Sequence, residues 1–240
     1  MKSIIPDNKI TNKNSIFLFF PKKMKMLPLD FNLNININDL QGIDKQKEII
    51  LKNTDNFIYN KPSENILLWG AKGMGKSSLI KSIIDHFNQD KKKLKLVEIF
   101  NHDLEYIPEL IYELSQKKFK FIIFIDDISF KNNDKDFRLF KSLIEGSILS
   151  NVKNIRYYIT SNLRHLSHTE GNDKLNEIES REISENLISL SDRFGCWIGF
   201  HNSDQHNYLK TVKYYLNKKN IEYTKLLEKK ALEWSTEKGS

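Results

Sequence analysis

Gly70-Ala71-Lys72-Gly73-Met74-Gly75-Lys76-Ser77 is the stretch on which the fold of this chain turns. It satisfies G-x-x-x-x-G-K-S at every fixed position, and its flanks are those the pattern needs. The apolar run Ile66-Leu67-Leu68-Trp69 predicts a strand before it, and an amphipathic helix is predicted from Lys76 to about Asn88. Glycines let the backbone curl so that successive N–H groups converge on phosphate oxygens, and the helix N-terminus adds a favourable dipole. Ala71, Lys72, Met74 and Ser78 belong to the same cradle. Lys76 is placed to reach the β- and γ-phosphates of a nucleotide, and the Ser77 hydroxyl to ligate Mg²⁺.

A partner for this loop lies some fifty residues on. Phe121-Ile122-Ile123-Phe124-Ile125 is a continuous apolar run, which predicts a strand buried on both faces, and it ends in Asp126-Asp127. Acids at the carboxyl end of such a strand sit where open α/β sheets hold metal and ligand. Asp126 is therefore expected to join Ser77 at Mg²⁺, and Asp127 to orient or deprotonate an attacking water. Helix capping is the competing role for both acids. Asp is one methylene shorter than Glu at the second position, so slow turnover is expected. A further strand, Arg156 to Thr160, lies in the stretch Ile155 to Asn162, whose end Thr160-Ser161-Asn162 either forms a simple turn or presents Asn162 to the γ-phosphate or the lytic water.

Around these motifs, helices and strands alternate. Helices are expected at Asp44 to about Asn56, at Leu104 to Lys118 with a break near Pro108, and at Phe137 to Leu149. Further strands are expected at Leu94–Ile99 and Trp197–Phe200. Such alternation predicts a mostly parallel sheet covered on both sides. Residues 1–38 read as a partly flexible extension containing the apolar burst Ile16 to Phe20. Its stretch from Phe31 to Ile37 alternates as a half-buried strand would, or serves as an Asn-rich tether. Residues 39–202 form the core, and two helical patterns at about 204–218 and 222–235 place a small helical unit at 203–240.

Composition narrows the class. The 240 residues are 39% hydrophobic, enough for a packed core, and carry a formal net charge of +7. Lysine greatly outnumbers arginine and asparagine is abundant, from an AT-rich genome or from a basic face for nucleic acid or an acidic partner. One cysteine, Cys196, excludes an internal disulfide and a Cys-rich zinc site. The burst at 16–20 is too short to span a bilayer and polar sequence precedes it, so no membrane role and a cytoplasmic location are expected.

These residues, in this order, resemble the AAA+ superfamily of P-loop ATPases, which implies a three-layer α/β fold with ATP and Mg²⁺ as cofactors. Gln41-Gly42-Ile43 resembles the adenine-side segment of that group, so Gly42 and Ile43 join the binding set. Asn162 falls where it carries a first sensor. Asp192-Arg193-Phe194-Gly195 is similar to the segment bearing an arginine finger, which implies a homo-oligomer with Arg193 acting in trans; a surface ion pair with Asp192 or Glu185 is the alternative. Leu67-Leu68-Trp69-Gly70, Asp126-Asp127-Ile128-Ser129-Phe130, Thr160 to Leu166 and Leu190 to Gly195 resemble, more narrowly, the bacterial predicted ATPases of domain of unknown function 815. That resemblance runs from about residue 24 to the end. Leu163 replaces an expected Arg, and the helical lid looks truncated, because the family pattern continues into an Arg-containing segment.

Other signals carry less. His165 and His168 lack the company of a metal site. Phe100, Tyr106 and Tyr112 read as core, and 89–120 contains no glycine for an aromatic pore loop. Two classes of function follow: an ATPase that hydrolyses ATP at subunit interfaces to remodel a macromolecular partner, or a nucleotide-dependent binding module with negligible turnover. Nucleic acid stays open as a partner.

Overall fold

The computed structural model describes residues 15–23, 25–29, 35–88, 94–128, 141–142, 144, 152–162, 194–201 and 204–238. Its strands are β1 (Ile16–Phe20), β2 (Lys25–Pro28), β3 (Ile66–Gly70), β4 (Leu94–Ile99), β5 (Lys120–Ile125), β6 (Ile155–Ser161) and β7 (Cys196–Phe200). They form one sheet in the order β2-β1-β4-β5-β6-β3-β7. Every neighbouring pair is parallel except β1 with β2, which is antiparallel. The α-helices are α1 (Asp44–Ile58), α2 (Lys76–Asn88), α3 (Ile107–Ser115), α4 (Gln205–Lys218) and α5 (Lys225–Lys238).

Strand β5 shows why the sheet is covered on both sides. Successive side chains of a strand point to opposite faces. Phe121, Ile123 and Ile125 enter a core with Ile107, Leu110, Ile111 and Leu114 of α3. Ile122 and Phe124 enter another with α1 and α2, through Ile50, Phe57, Ile80 and Ile83. The result is three layers, helix on sheet on helix, as the alternation of motifs implies.

Two expectations for residues 1–38 need correction. The burst at 16–20 is part of the sheet: β1 pairs with β4 from Ile16↔Leu96 to Leu18↔Glu98, and Phe17 and Phe19 are buried. Its apolar residues have a core to enter because β4 would otherwise leave an open edge. Ile37, at the end of the stretch read as a half-buried strand or an Asn-rich tether, starts a 3₁₀ turn over Ile37–Asp39 capped by the Asn36 side chain. Asn readily trades sheet pairing for such local bonds. Phe31 to Asn34 lie outside the described residues, as does most of the expected helix at 137–149, of which Lys141, Ser142 and Ile144 are helical.

The helical stretch is interrupted beside Pro108, as expected. A 3₁₀ segment covers Asn101–Tyr106 and α3 starts at Ile107, with Pro108 in its first turn, where a missing N–H costs nothing. Of the three aromatics expected in the core, Tyr106 packs against it, whereas Phe100 and Tyr112 are exposed.

Phe19→Ala is expected to cost about 3–5 kcal/mol of stability in urea unfolding, as for other buried aromatics. An unchanged midpoint would place β1 outside the cooperative unit.

Candidate functional site

The phosphate loop owes its shape to its glycines. Gly70 has φ +130, and a Cβ there would lie 2.0 Å from the Phe200 carbonyl oxygen, so only glycine lets β3 run this close to β7 at the loop's entry. Gly73 and Gly75 both have positive φ and curl the loop over the start of α2. Lys72 and Gly73 face solvent, Ala71 is buried, and Met74, Gly75, Ser77 and Ser78 are half-buried. Met74 packs against the core shared with α1 and α2.

Lys76 is the first helical residue and is 5% exposed. Its Nζ donates to the carbonyls of Gly70 at 2.8 Å and Ala71 at 2.7 Å, and to Asn162 Oδ1 at 2.9 Å. These three oxygens solvate the ammonium without neutralising it. Burial lowers its pKa, while the charges of Asp127 and Asp126 oppose that shift. A cation placed this way, beside exposed loop N–H groups, fits an anionic phosphate.

Asp126 and Asp127 occupy the carboxyl end of β5, with Asn162 just beyond β6. Asp126 Oδ1 accepts from Ser77 Oγ and from Thr160 Oγ1, each at 2.5 Å. A carboxylate and a hydroxyl converging beside the phosphate loop are hard oxygen donors of the kind Mg²⁺ selects, so Ser77 and Asp126 fit the ion. Asp127 takes φ +53, a left-handed conformation that Asp tolerates better than most residues. Its N–H donates to Thr160 Oγ1 at 2.8 Å, and its Oδ1 accepts from Asn162 Nδ2 at 2.5 Å. Asn162 thereby joins Lys76 to Asp127 through one amide.

Thr160 was not singled out by sequence, although it does the most to fix both acids. Its hydroxyl donates to one aspartate while accepting from the backbone of the next. The signal was a strand with three polar residues at its end, of which only the last invited attention.

The adenine-side candidates lie beneath the loop. Ile43 is buried, and its Cδ1 sits 3.9 Å from where a Cβ on Gly75 would be. Gly42 precedes it with positive φ. Upstream, Asp39 is grasped by α4: its Oδ1 accepts from Tyr214 Oη at 2.7 Å, its carbonyl from Tyr215 Oη at 3.0 Å, and its Oδ2 from Lys218 Nζ. The Lys218 and Tyr214 bonds hold the Asp39 carboxyl below its ordinary range. Arg193 and the segment Leu163 to His168 lie outside the described residues. No group of three or more metal-ligating side chains occurs among the described residues, and none of their helices is long and apolar enough to cross a membrane.

A family model described as "Protein of unknown function (DUF815)" matches residues 12–240. The proteasome-activating nucleotidase of Thermococcus kodakarensis is 29% identical over 106 residues, covering 39% of this chain and 27% of that protein. That of Methanopyrus kandleri is 28% identical over 114 residues, covering 42% and 26%. Among solved structures, Aeropyrum pernix ORC1 in complex with DNA superposes with TM-score 0.55 at 13% identity, over 78% of this chain and 52% of that one. The Thermotoga maritima RuvB Holliday junction branch migration motor gives 0.50 at 16%, over 78% and 55%. The chain spans about a quarter of the length of the curated relatives and about half that of the solved ones. The shared fold is the AAA+ P-loop fold.

Thr160→Val keeps the side-chain shape, removes both hydroxyl bonds and leaves the Asp127 N–H unpaired. A loss of about 1–3 kcal/mol in chemical denaturation is expected, largely restored in Thr160→Ser. Equal stability of the Val variant and the parent would show that the hydroxyl fixes neither acid.

Proposed function

Because this chain belongs to the family described as protein of unknown function (DUF815) and has the AAA+ P-loop ATPase fold, we propose that it binds ATP with Mg²⁺ and hydrolyses it at subunit interfaces to remodel a macromolecular partner. The observation that carries this reading is the pair of linked contacts at the carboxyl edge: Ser77 to Asp126, and Lys76 through Asn162 to Asp127. In this reading Gly70 to Ser78 cradle the phosphates, with Lys76 at the β- and γ-phosphates. Gly42 and Ile43 hold the adenine side. Ser77 and Asp126 hold Mg²⁺, which when bound would offset negative charge on the phosphates.

Asp127 orients or deprotonates the attacking water, and Asn162 holds both that carboxylate and the ammonium in register. Arg193 completes the site from a neighbouring copy, which makes the protein a homo-oligomer at work. Residues 39–202 act as the nucleotide-binding core and 203–240 as the lid, in the cytoplasm. A second reading, a nucleotide-dependent binding module, is favoured by one observation: the short Asp127 carboxylate is held by Asn162.

Lys76→Ala is expected to weaken ATP binding at least tenfold, equivalent to about 1.4 kcal/mol, in a titration with fluorescent nucleotide. Retained tight binding would overturn the phosphate-loop assignment. ATP hydrolysis per protomer should rise with protein concentration, and Arg193→Ala should lower it by about 10³-fold while sparing binding. A flat, negligible rate with ATP still bound would favour the binding module instead.

A further inference from the structure

The cations of the sheet's other edge take no part in the phosphate site. Strands β3, β4, β5 and β6 are parallel, so the segments entering β3, β5 and β6 all meet at the amino edge. Those segments carry Lys61, Lys117, Lys118, Lys120, Lys153 and Arg156. A strand of six residues puts this edge roughly 20 Å from Asp126.

The three segments are fastened to one another. Asn154 Nδ2 donates to the carbonyls of Leu114 at 2.9 Å, Lys117 at 3.1 Å and Phe119 at 3.2 Å. Lys120 Nζ donates to Asn60 Oδ1 at 2.7 Å and to the Lys153 carbonyl at 3.0 Å. Arg156 Nε donates to the carbonyl and the hydroxyl of Ser63, each at 3.1 Å. Lys120 Nζ and Arg156 Cζ both lie over the Phe57 ring, 4.8 and 5.1 Å from its centroid. Two like charges are thus held side by side. Burial first, and then the Arg156 charge, lowers the pKa of Lys120.

Among the described residues, none of Lys61, Lys118, Lys120, Lys153 and Arg156 forms an ion pair with a carboxylate. Glu64 is the acid whose charge acts on Arg156. Lys61, Lys118 and Lys153 are exposed, and Pro62 is the exposed apolar residue between Lys61 and Ser63. Tyr59, two residues before Lys61, is exposed as well, and these two residues are outnumbered by the cations around them, unlike the apolar centre on which a protein interface is built. The surface has instead clustered cations on a fixed frame, the arrangement that neutralises a phosphate backbone. Entries to three adjacent strands span roughly 10 Å, over which a duplex presents about six charges.

We propose that the amino edge formed by Lys61, Lys118, Lys120, Lys153 and Arg156 binds the phosphodiester backbone of nucleic acid, independently of base sequence. The surface goes beyond the ATP reading and stands without it.

The test is fluorescence anisotropy with an end-labelled DNA duplex of about 30 base pairs and arbitrary sequence, titrated between about 50 and 200 mM salt. The parent protein should bind with an affinity that falls steeply with salt. Lys61→Glu/Lys118→Glu/Lys153→Glu should weaken binding at least tenfold, and Lys118→Ala alone should reduce the salt slope by about one. The charge-matched variant Lys22→Glu/Lys23→Glu/Lys25→Glu, altered at the exposed far end of the sheet, should bind like the parent. Lys76→Ala should also bind like the parent, so failure of the nucleotide site is read separately. The lysines replaced in both triple variants are exposed, and unchanged urea unfolding of every variant, Lys76→Ala included, verifies the fold. Absence of binding at low salt, equal loss in both triple variants, or full binding by the amino-edge variant would overturn the proposal. Tighter binding of labelled polyglutamate than of DNA would also overturn it, by assigning the edge to an acidic protein.

Discussion

A buried ammonium held by neutral oxygens is the constraint around which the rest of this structure is arranged. Lys76 reaches the carbonyls of Gly70 and Ala71 only because the loop between them doubles back over the first turn of α2. That reversal needs positive φ at Gly73 and Gly75, and a glycine at Gly70 where β3 touches the Phe200 carbonyl. A cation removed from water must have its donors met, and two main-chain oxygens and one amide meet them here. The third, Asn162, comes from β6, so the loop is tied across the sheet to the strand beside β5. Positions of both aspartates follow from the same tie, because Thr160 and Asn162 hold them from one strand end.

Parallel strands give the molecule two chemically different edges. At the carboxyl edge, acids and hydroxyls gather around the loop, and helix α2 points its N-terminal dipole into the same space. At the amino edge the strands begin with Lys120 and with Ile155-Arg156, whose long side chains lie along the Phe57 ring and keep their charges near the rim. The sheet interior between them is apolar, from Phe121 to Ile125 on β5 and Leu67 to Leu68 on β3. On β3 and β5 charge is thus absent from the strand interior and gathers at the ends, where loops supply both the polar partners and the access to solvent.

How much of this was legible in the sequence depended on whether a residue's role was local. Helix α2 and strand β4 occupy the spans their apolar patterns indicate, and β5 and β6 differ from theirs by a residue at each affected end. The loop and the Asp126-Asp127 pair were visible because glycine conformation and strand-end acids are features of adjacent residues. Strand β1 was hidden, since five apolar residues ahead of a polar stretch do not say which strand they pair with, and its partner β4 lies some eighty residues on. Thr160 was passed over for a related reason: its value lies in two bonds to β5, invisible to any pattern within β6. Lys95 is a further case, a lysine in an apolar strand that is 1% exposed and stacked on the Phe119 ring, where burial pushes its ammonium down to about 8.

Asp39 shows how a distant contact can join two parts of the site that sequence treats separately. Read locally it is a turn residue, and it does end a 3₁₀ turn. Helix α4 has no buried residue, so apolar packing alone cannot set its place on the core. Three side chains of that helix, Tyr214, Tyr215 and Lys218, instead converge on the carboxylate and carbonyl of Asp39. Four residues later the chain reaches Ile43, whose methyl lies under Gly75 of the phosphate loop. A displacement of α4 therefore acts on the short segment between a polar clasp at one end and an apolar contact with the loop at the other. Hydrogen bonds at exposed positions are individually weak and exchange readily with water, whereas a buried contact is not so easily remade. Of the two ends, the clasp at Asp39 is polar and only partly buried, whereas the Ile43 contact is apolar and buried.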